Sequence, residues 1–125
     1  MNDPLALVIE DDPDAAAIFS GALEAAEFEV EVISAGDKAL ERLARVEPKL
    51  IVLDLHLPQV AGPDILRHIR ADRRLANVHV IVASADAMMA GELRDQVTLV
   101  LLKPISYSQF RDMAKRLKSQ IVEES

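Results

Sequence analysis

Four short apolar runs constrain this chain more than any other feature: LALVI (5–9), LIVL (50–53), VHVIVA (78–83) and TLVLL (98–102). Each is too short for a buried helix and is rich in β-branched residues or Leu. A strand that is apolar on both faces must be covered on both, which is the condition of a parallel sheet. A fifth run, FEVEVIS (28–34), alternates apolar and acidic residues. One of its faces is expected to be wet, as on an edge strand.

Helical patterns separate the runs. After Asp12, the stretch PDAAAIFSGALEAA places Ile18, Ala22, Leu23 and Ala26 on one face. Its start is legible, with Asp12 as N-cap, Pro13 at the first helical position and Asp14 where the helix dipole favours an acid. GDKALERLARV brings together Ala39, Leu40, Leu43 and Val46. GPDILRHIR starts with Gly62 and Pro63 and is expected to bury Ile65, Leu66 and Ile69. SADAMMAGELR offers a shorter, weaker helix, with Met88 and Met89 read as packing residues. In the last pattern, Ser106 and Gln109 suit a capping box, and Phe110, Met113, Leu117 and Ile121 follow at helical spacing. Strand and helix thus alternate five times. This order predicts a single α/β domain over 1–125 with helices on both faces of a parallel sheet and right-handed crossovers. In such sheets ligands bind at the carboxyl ends of the strands.

Composition narrows the function. The chain of 125 residues is half apolar, enough for a core, and carries a formal charge of −7. Direct binding to nucleic acid is not expected, because phosphate contacts need clustered Lys and Arg. Without cysteine, neither a disulfide framework nor a thiolate metal site can form. No apolar run approaches the roughly 20 residues of a membrane span. MNDPLALVIEDD lacks the basic region of a signal peptide. A cytoplasmic protein with no membrane partner is the expectation.

The chemistry gathers where the strands end. The first runs into Glu10 and Asp11, the third into Asp54, the fourth into Ser84 and the fifth into Lys103, followed by Pro104. Only the second contributes no evident chemistry. Three carboxylates bring about three negative charges and Lys103 returns one; a divalent cation would balance the rest. Oxygen donors without His or Cys favour a hard cation such as Mg²⁺. An Asp carboxylate can attack phosphorus, and a Lys with a metal can hold the equatorial oxygens of a transferring phosphoryl group.

At this point the chain resembles the receiver domains of two-component response regulators over its whole length. The resemblance is carried by VIEDD (8–12), VLDLHLPQVAG (52–62), VASA (82–85) and LKP (102–104), and by the 30 residues between Asp54 and Ser84. It implies a flavodoxin-like, doubly wound five-stranded sheet in the order 2-1-3-4-5, flanked by five helices. It implies that Asp54 is the phosphoacceptor, that Asp11 and Asp54 ligate Mg²⁺, that Glu10 acts through a bound water, and that the His56 backbone carbonyl completes the protein ligands. Ser84 would bond the phosphoryl group, and Lys103 would pair with the carboxylate before transfer and with the phosphoryl group after it. A cis Lys103–Pro104 bond is implied as well. The donor would be a phosphohistidine on a sensor histidine kinase or a histidine phosphotransfer protein, and the receiver would switch a surface for an output protein or domain. Such a domain accepts a group and loses it slowly; it is not a turnover enzyme.

Several positions stand apart from that pattern. The aromatic that many receivers carry three residues before the Lys is Val100 here, so no ring can follow phosphorylation at that place. Tyr107, at the start of the last helix, does not replace it. Ala61 stands where an Asp is common before the glycine, and DQVT replaces a glycine–alanine turn before the fifth strand, which predicts a short or irregular fourth helix. The side chains of His56 and Asp86, two residues past Asp54 and Ser84, are candidates to shape water access. His68 and His79 show no partner pattern. A metal-dependent aspartyl phosphatase would carry a second Asp two residues after its nucleophile, where this chain has His56. A pure interaction module would not need the full set of acids, Ser84 and Lys103.

Overall fold

The computed structural model describes residues 3–124; Met1, Asn2 and Ser125, which the expected domain includes, lie outside the described residues. The elements alternate as β1 (Leu5–Ile9), α1 (Pro13–Ala25), β2 (Glu29–Ile33), α2 (Gly36–Leu43), β3 (Leu50–Asp54), α3 (Gly62–Ala71), β4 (His79–Ser84), α4 (Ala87–Glu92), β5 (Leu99–Leu102) and α5 (Tyr107–Glu124). All strand pairs are parallel and the order is β2-β1-β3-β4-β5, as expected. No helix among the described residues is long and apolar enough to cross a membrane.

The two-sided apolar runs explain the three layers. Ala6 and Val8 face one side of β1, with Phe19, Ala22 and Leu23 of α1 and Phe110, Ala114 and Leu117 of α5. Leu7 and Ile9 face the other, with Leu43 of α2, Ile65, Leu66 and Ile69 of α3, and Ala90 of α4. The central strands β1 and β3 are buried almost throughout. Asp12 caps α1, accepting from the Asp14 N–H at 3.2 Å, with Pro13 next. Ser106 starts α5 by accepting from the Gln109 N–H at 3.1 Å, the forward half of the expected capping box.

Four local expectations need correction. TLVLL, read as covered on both faces, is only partly covered: β5 stands at the sheet edge that the expected order gives it, beside β4, and Leu102 is 51% exposed. On β2 the acidic side is not uniformly the wetter one: Glu29 is exposed as expected, but Glu31 is half-buried. Glu31 accepts from Arg42 Nε at 2.7 Å and Nη2 at 3.0 Å, whereas Val32 is left largely exposed. On α1 the buried stripe is Ala16, Phe19, Ala22 and Leu23, which turns Ile18 to a half-buried place. On α4, Met89 packs against the core but Met88 points to solvent, 78% exposed.

The fourth helix is indeed short. Its six residues give way at Leu93 to a single 3-10 turn, Arg94–Gln96. That turn is held from α3. Arg70 donates to the carbonyls of Gln96 (2.8 Å), Ala76 (3.0 Å) and Val78 (2.9 Å), joining the α3–β4 loop to the approach of β5.

Candidate metal and phosphoacceptor site

Five parallel strands deliver their carboxyl ends to one rim, so residues distant in sequence meet there. Glu10 follows β1 and is 1% exposed; Asp54 ends β3 and Ser84 ends β4, both buried. Asp11 is exposed. Lys103 follows β5, and its amide donates to the Ser84 carbonyl at 2.9 Å, which fixes the start of the loop. The Lys103–Pro104 bond is cis, as expected.

Carboxylate oxygens of Glu10, Asp11 and Asp54 lie within 4.8 Å of one another. Lys103 Nζ reaches Glu10 Oε1 at 2.5 Å and Asp54 Oδ1 at 3.7 Å. Its short bond is therefore to Glu10, although the resemblance implied pairing with the acceptor carboxylate. Backbone amides hold the acids: the Asp12 N–H donates to Glu10 Oε2 and the His56 N–H to Asp54 Oδ1, each at 3.2 Å. Ser84 Oγ accepts from the Asp86 N–H at 2.9 Å.

The electrostatics show what the cluster favours. Burial pushes the Glu10 carboxyl from 4.5 up to about 7; the bond from Lys103 opposes the rise and the nearby Asp54 adds to it. Burial acts to lower the Lys103 ammonium, but the bond and charge of Glu10, with Asp54 and Asp12, raise it on balance. One cation does not neutralise three clustered acids, and a divalent ion would. The oxygen-only donor set, one member exposed, fits a hard cation that keeps water ligands.

Close backbone approach fixes the loop after Asp54. A Cβ on Gly62 would lie 2.5 Å from Leu55 Cα and 2.6 Å from the Asp54 carbonyl oxygen, so only glycine fits. Beside the acids, a groove of about 350 Å³ runs between α1 and the β5–α5 loop, with Ile18, Phe19, Lys103, Pro104 and Ile105 in its walls. Its signal in the sequence was Ile18, whose side turned from the core to this groove.

Other expected candidates lie elsewhere or do other work. The His56 side chain is exposed. The Asp86 carboxylate accepts from the Met89 N–H at 3.0 Å and caps α4. The pattern S-x-D before a short helix is a capping signal that could have shown this. His68 is exposed. His79 has partners that spacing could not reveal: its ring bonds Glu124 Oε1 at 2.7 Å and Thr98 Oγ1 at 3.2 Å. Val100 is half-buried in the layer of α2, α3 and α4. Tyr107 lies on the other side of the sheet against Gly21, with Arg111 over its ring.

Comparison with known proteins agrees with this arrangement. The family model of the response regulator receiver domain matches residues 6–115. The chain belongs to the response regulator receiver domain family.

This receiver domain is 29% identical over 121 residues to the sensor histidine kinase TmoS of Ectopseudomonas mendocina, matching 94% of this chain and 12% of the kinase. It thus spans about an eighth of that relative's length. It is 29% identical over 112 residues to the polar-differentiation response regulator DivK of Brucella ovis, covering 87% of this chain and 91% of DivK. Among solved structures, a sensor protein from Polaromonas sp. JS666 superposes with a TM-score of 0.79 at 32% identity, over 94% of this chain and 98% of that one. The receiver domain of the sensor histidine kinase PA1611 from Pseudomonas aeruginosa PAO1, which has a magnesium ion coordinated in its active site cleft, shares the fold. Its TM-score is 0.81 at 22% identity, over 94% of this chain and 98% of that one.

Proposed function

We propose that this receiver domain takes a phosphoryl group from a phosphohistidine onto Asp54, with Mg²⁺ bound, and thereby switches a surface read by an output protein or domain. One observation carries the reading: the buried Asp54 carboxylate lies with Glu10 and Asp11 oxygens within 4.8 Å and the Lys103 ammonium 3.7 Å away. That juxtaposition suits a nucleophile whose charge must be offset before an anionic phosphorus can approach it.

Asp11 and Asp54 would hold the metal directly, Glu10 through a water and His56 through its backbone carbonyl. The bound ion would supply positive charge to the transferring oxygens. Asp54 contributes the attacking oxygen: its O–P bond forms as the donor's N–P bond breaks, and the histidine nitrogen leaves with the electron pair. The His56 amide, which donates to Asp54 Oδ1, holds the carboxylate in place. Lys103 reaches both Glu10 and Asp54, so a small shift of its ammonium would bring it to a phosphoryl oxygen. Ser84 would donate its hydroxyl proton to another. The group then leaves slowly to water, so the domain serves as an acceptor and not as a turnover enzyme.

The donor would be a sensor histidine kinase or a histidine phosphotransfer protein. The groove beside Lys103, walled by Ile18, Phe19 and Ile105, would offer the donor's apolar surface a seat. The domain would act in the cytoplasm, alone or as a module of a longer signalling chain.

Acetyl phosphate with Mg²⁺ tests the reading by intact mass. One phosphoryl adduct, labile to base and to hydroxylamine, is expected, and it should fail to form when Mg²⁺ is chelated and in Asp54→Asn. Unchanged mass with acetyl phosphate, and with a phosphorylated histidine kinase, would leave the domain as an interaction module.

A further inference from the structure

At the pole of the sheet opposite Asp54, where β3 and β4 begin, lies a cavity of about 310 Å³. It is enclosed by the approach to β3, the α3–β4 loop and the end of α5. His79 starts β4 and Ser84 ends it, so about 17 Å of strand separates the cavity from the acid rim. Its size is that of a small-molecule site. Its floor is apolar: Pro48, Val78 and Ile121 line it, and all three are buried.

Two arginines build the wall. Arg70 holds the Ala76 and Val78 carbonyls, and Arg74 Nη2 donates to the Leu43 carbonyl at 2.7 Å and to Asp72 Oδ2 at 3.2 Å. The α3–β4 loop is thereby tied to α3 at one end and to α2 at the other. The loop so held brings Arg73 and Asn77 to the cavity, and Lys49 joins them from the residue before β3. Among the described residues, the Lys49 ammonium, the Arg73 guanidinium and the Asn77 amide have no hydrogen-bond or ion-pair partner. Two carboxylates share the lining. Glu124 is bonded to His79 at 2.7 Å, and Glu47 is exposed. With Arg74 matched by Asp72, the uncommitted charges are two cations against Glu47. This is a positive spot on a chain of formal charge −7, and it attracts an anion.

The geometry points to this cavity as a binding site for a small phosphate-bearing molecule with a ring, of the size of a nucleoside monophosphate. Lys49 and Arg73 hold the phosphate, the guanidinium through a two-pronged pair of hydrogen bonds. Asn77 and Glu47 bond the polar groups of the sugar or ring. Pro48, Val78 and Ile121 cover the apolar part. The negative chain and the confined volume disfavour a nucleic acid polymer. No residue of the acid rim takes part, so binding does not depend on the state of Asp54. The ligand joins the α3–β4 loop to the end of α5 and gives the domain a second chemical input.

Heteronuclear NMR tests this with adenosine monophosphate, inorganic phosphate and adenosine as probes, and with EDTA present so that no divalent ion recruits phosphate to the acid rim. The nucleotide should shift the backbone amides of Lys49, Asn77 and His79 saturably and leave those of Asp11, His56 and Ser84 in place. Phosphate and adenosine should each bind more weakly than the nucleotide. The double variant Lys49→Gln/Arg73→Gln should bind the nucleotide about tenfold more weakly or worse, since it loses charge-assisted hydrogen bonds. Both side chains are exposed, so this variant should melt as wild type does. Lys38→Gln/Lys115→Gln removes the same charge at residues that do not line the cavity, and should bind as wild type does. No saturable shift with any probe at millimolar concentration overturns the inference. So do equal affinity in the two double variants, shifts centred on the acid rim, and phosphate or adenosine binding as tightly as the nucleotide.

Discussion

Lys103 Nζ lies 2.5 Å from Glu10 Oε1 but 3.7 Å from Asp54 Oδ1. The one ammonium of the rim is thus held by the buried acid beside the proposed nucleophile. Asp54 is left with the His56 amide as its hydrogen-bond partner and the ammonium at longer range. Without a metal the balance is poor, and this has measurable consequences.

The first concerns pH. Folded Glu10 titrates at about 7, against 4.5 when unperturbed, chiefly because of burial. Its folded state prefers the neutral form, so its contribution is full below pH 4.5 and is lost as pH rises through 7. In urea melts of metal-free protein, Glu10→Gln should be more stable than wild type at pH 7.5 but not at pH 4.5. The gain should be on the order of 2–3 kcal/mol. Added Mg²⁺ should stabilise wild type at pH 7.5 and should act much less on the variant.

Removing the ammonium should act in the opposite sense on metal and on fold. Lys103→Met leaves Glu10 and Asp54 without their counter-charge, so the metal-free protein should lose stability at pH 7.5. A breach of a buried pair costs roughly 3–5 kcal/mol at most. Mg²⁺ affinity, read by calorimetry, should rise several-fold because the competing cation is gone.

Gly62 bears on the site through the backbone alone. Gly62→Ala forces a methyl into Leu55 Cα and the Asp54 carbonyl, neither of which is a movable side-chain end. Thermal melts should show a loss of about 1–3 kcal/mol. Mg²⁺ binding should weaken too, because the displaced backbone carries Asp54.

Phe110 offers the contrast. It is buried against Phe19, ring centroids 4.8 Å apart, on the α1–α5 side of the sheet. Phe110→Ala should cost about 3–5 kcal/mol. At temperatures where it stays folded, its Mg²⁺ affinity should match that of wild type.

Much of the rim was legible from sequence because a parallel sheet brings every strand's carboxyl end to one edge. Placing Glu10, Asp54, Ser84 and Lys103 after apolar runs was then enough to bring them together. What escaped depended on partners far along the chain or on helix phase. Glu31 is sheltered by Arg42 of the next helix, which alternation on β2 cannot reveal. His79 meets Glu124, 45 residues further along the chain at the end of α5. Six residues of α4 are too few to tell the packed Met89 from the exposed Met88. The preference of Lys103 for Glu10 rests on about an ångström of side-chain position, below anything spacing encodes.

The most direct measurement locates the phosphoryl group itself. Protein treated with Mg²⁺ and acetyl phosphate is reduced with borohydride, which converts an aspartyl acyl phosphate to homoserine, and is then sequenced by tandem mass spectrometry. The account predicts homoserine at position 54 and nowhere else, dependent on Mg²⁺. Homoserine at position 11 with Asp54 intact, or an adduct that forms equally well in Asp54→Asn, would contradict it.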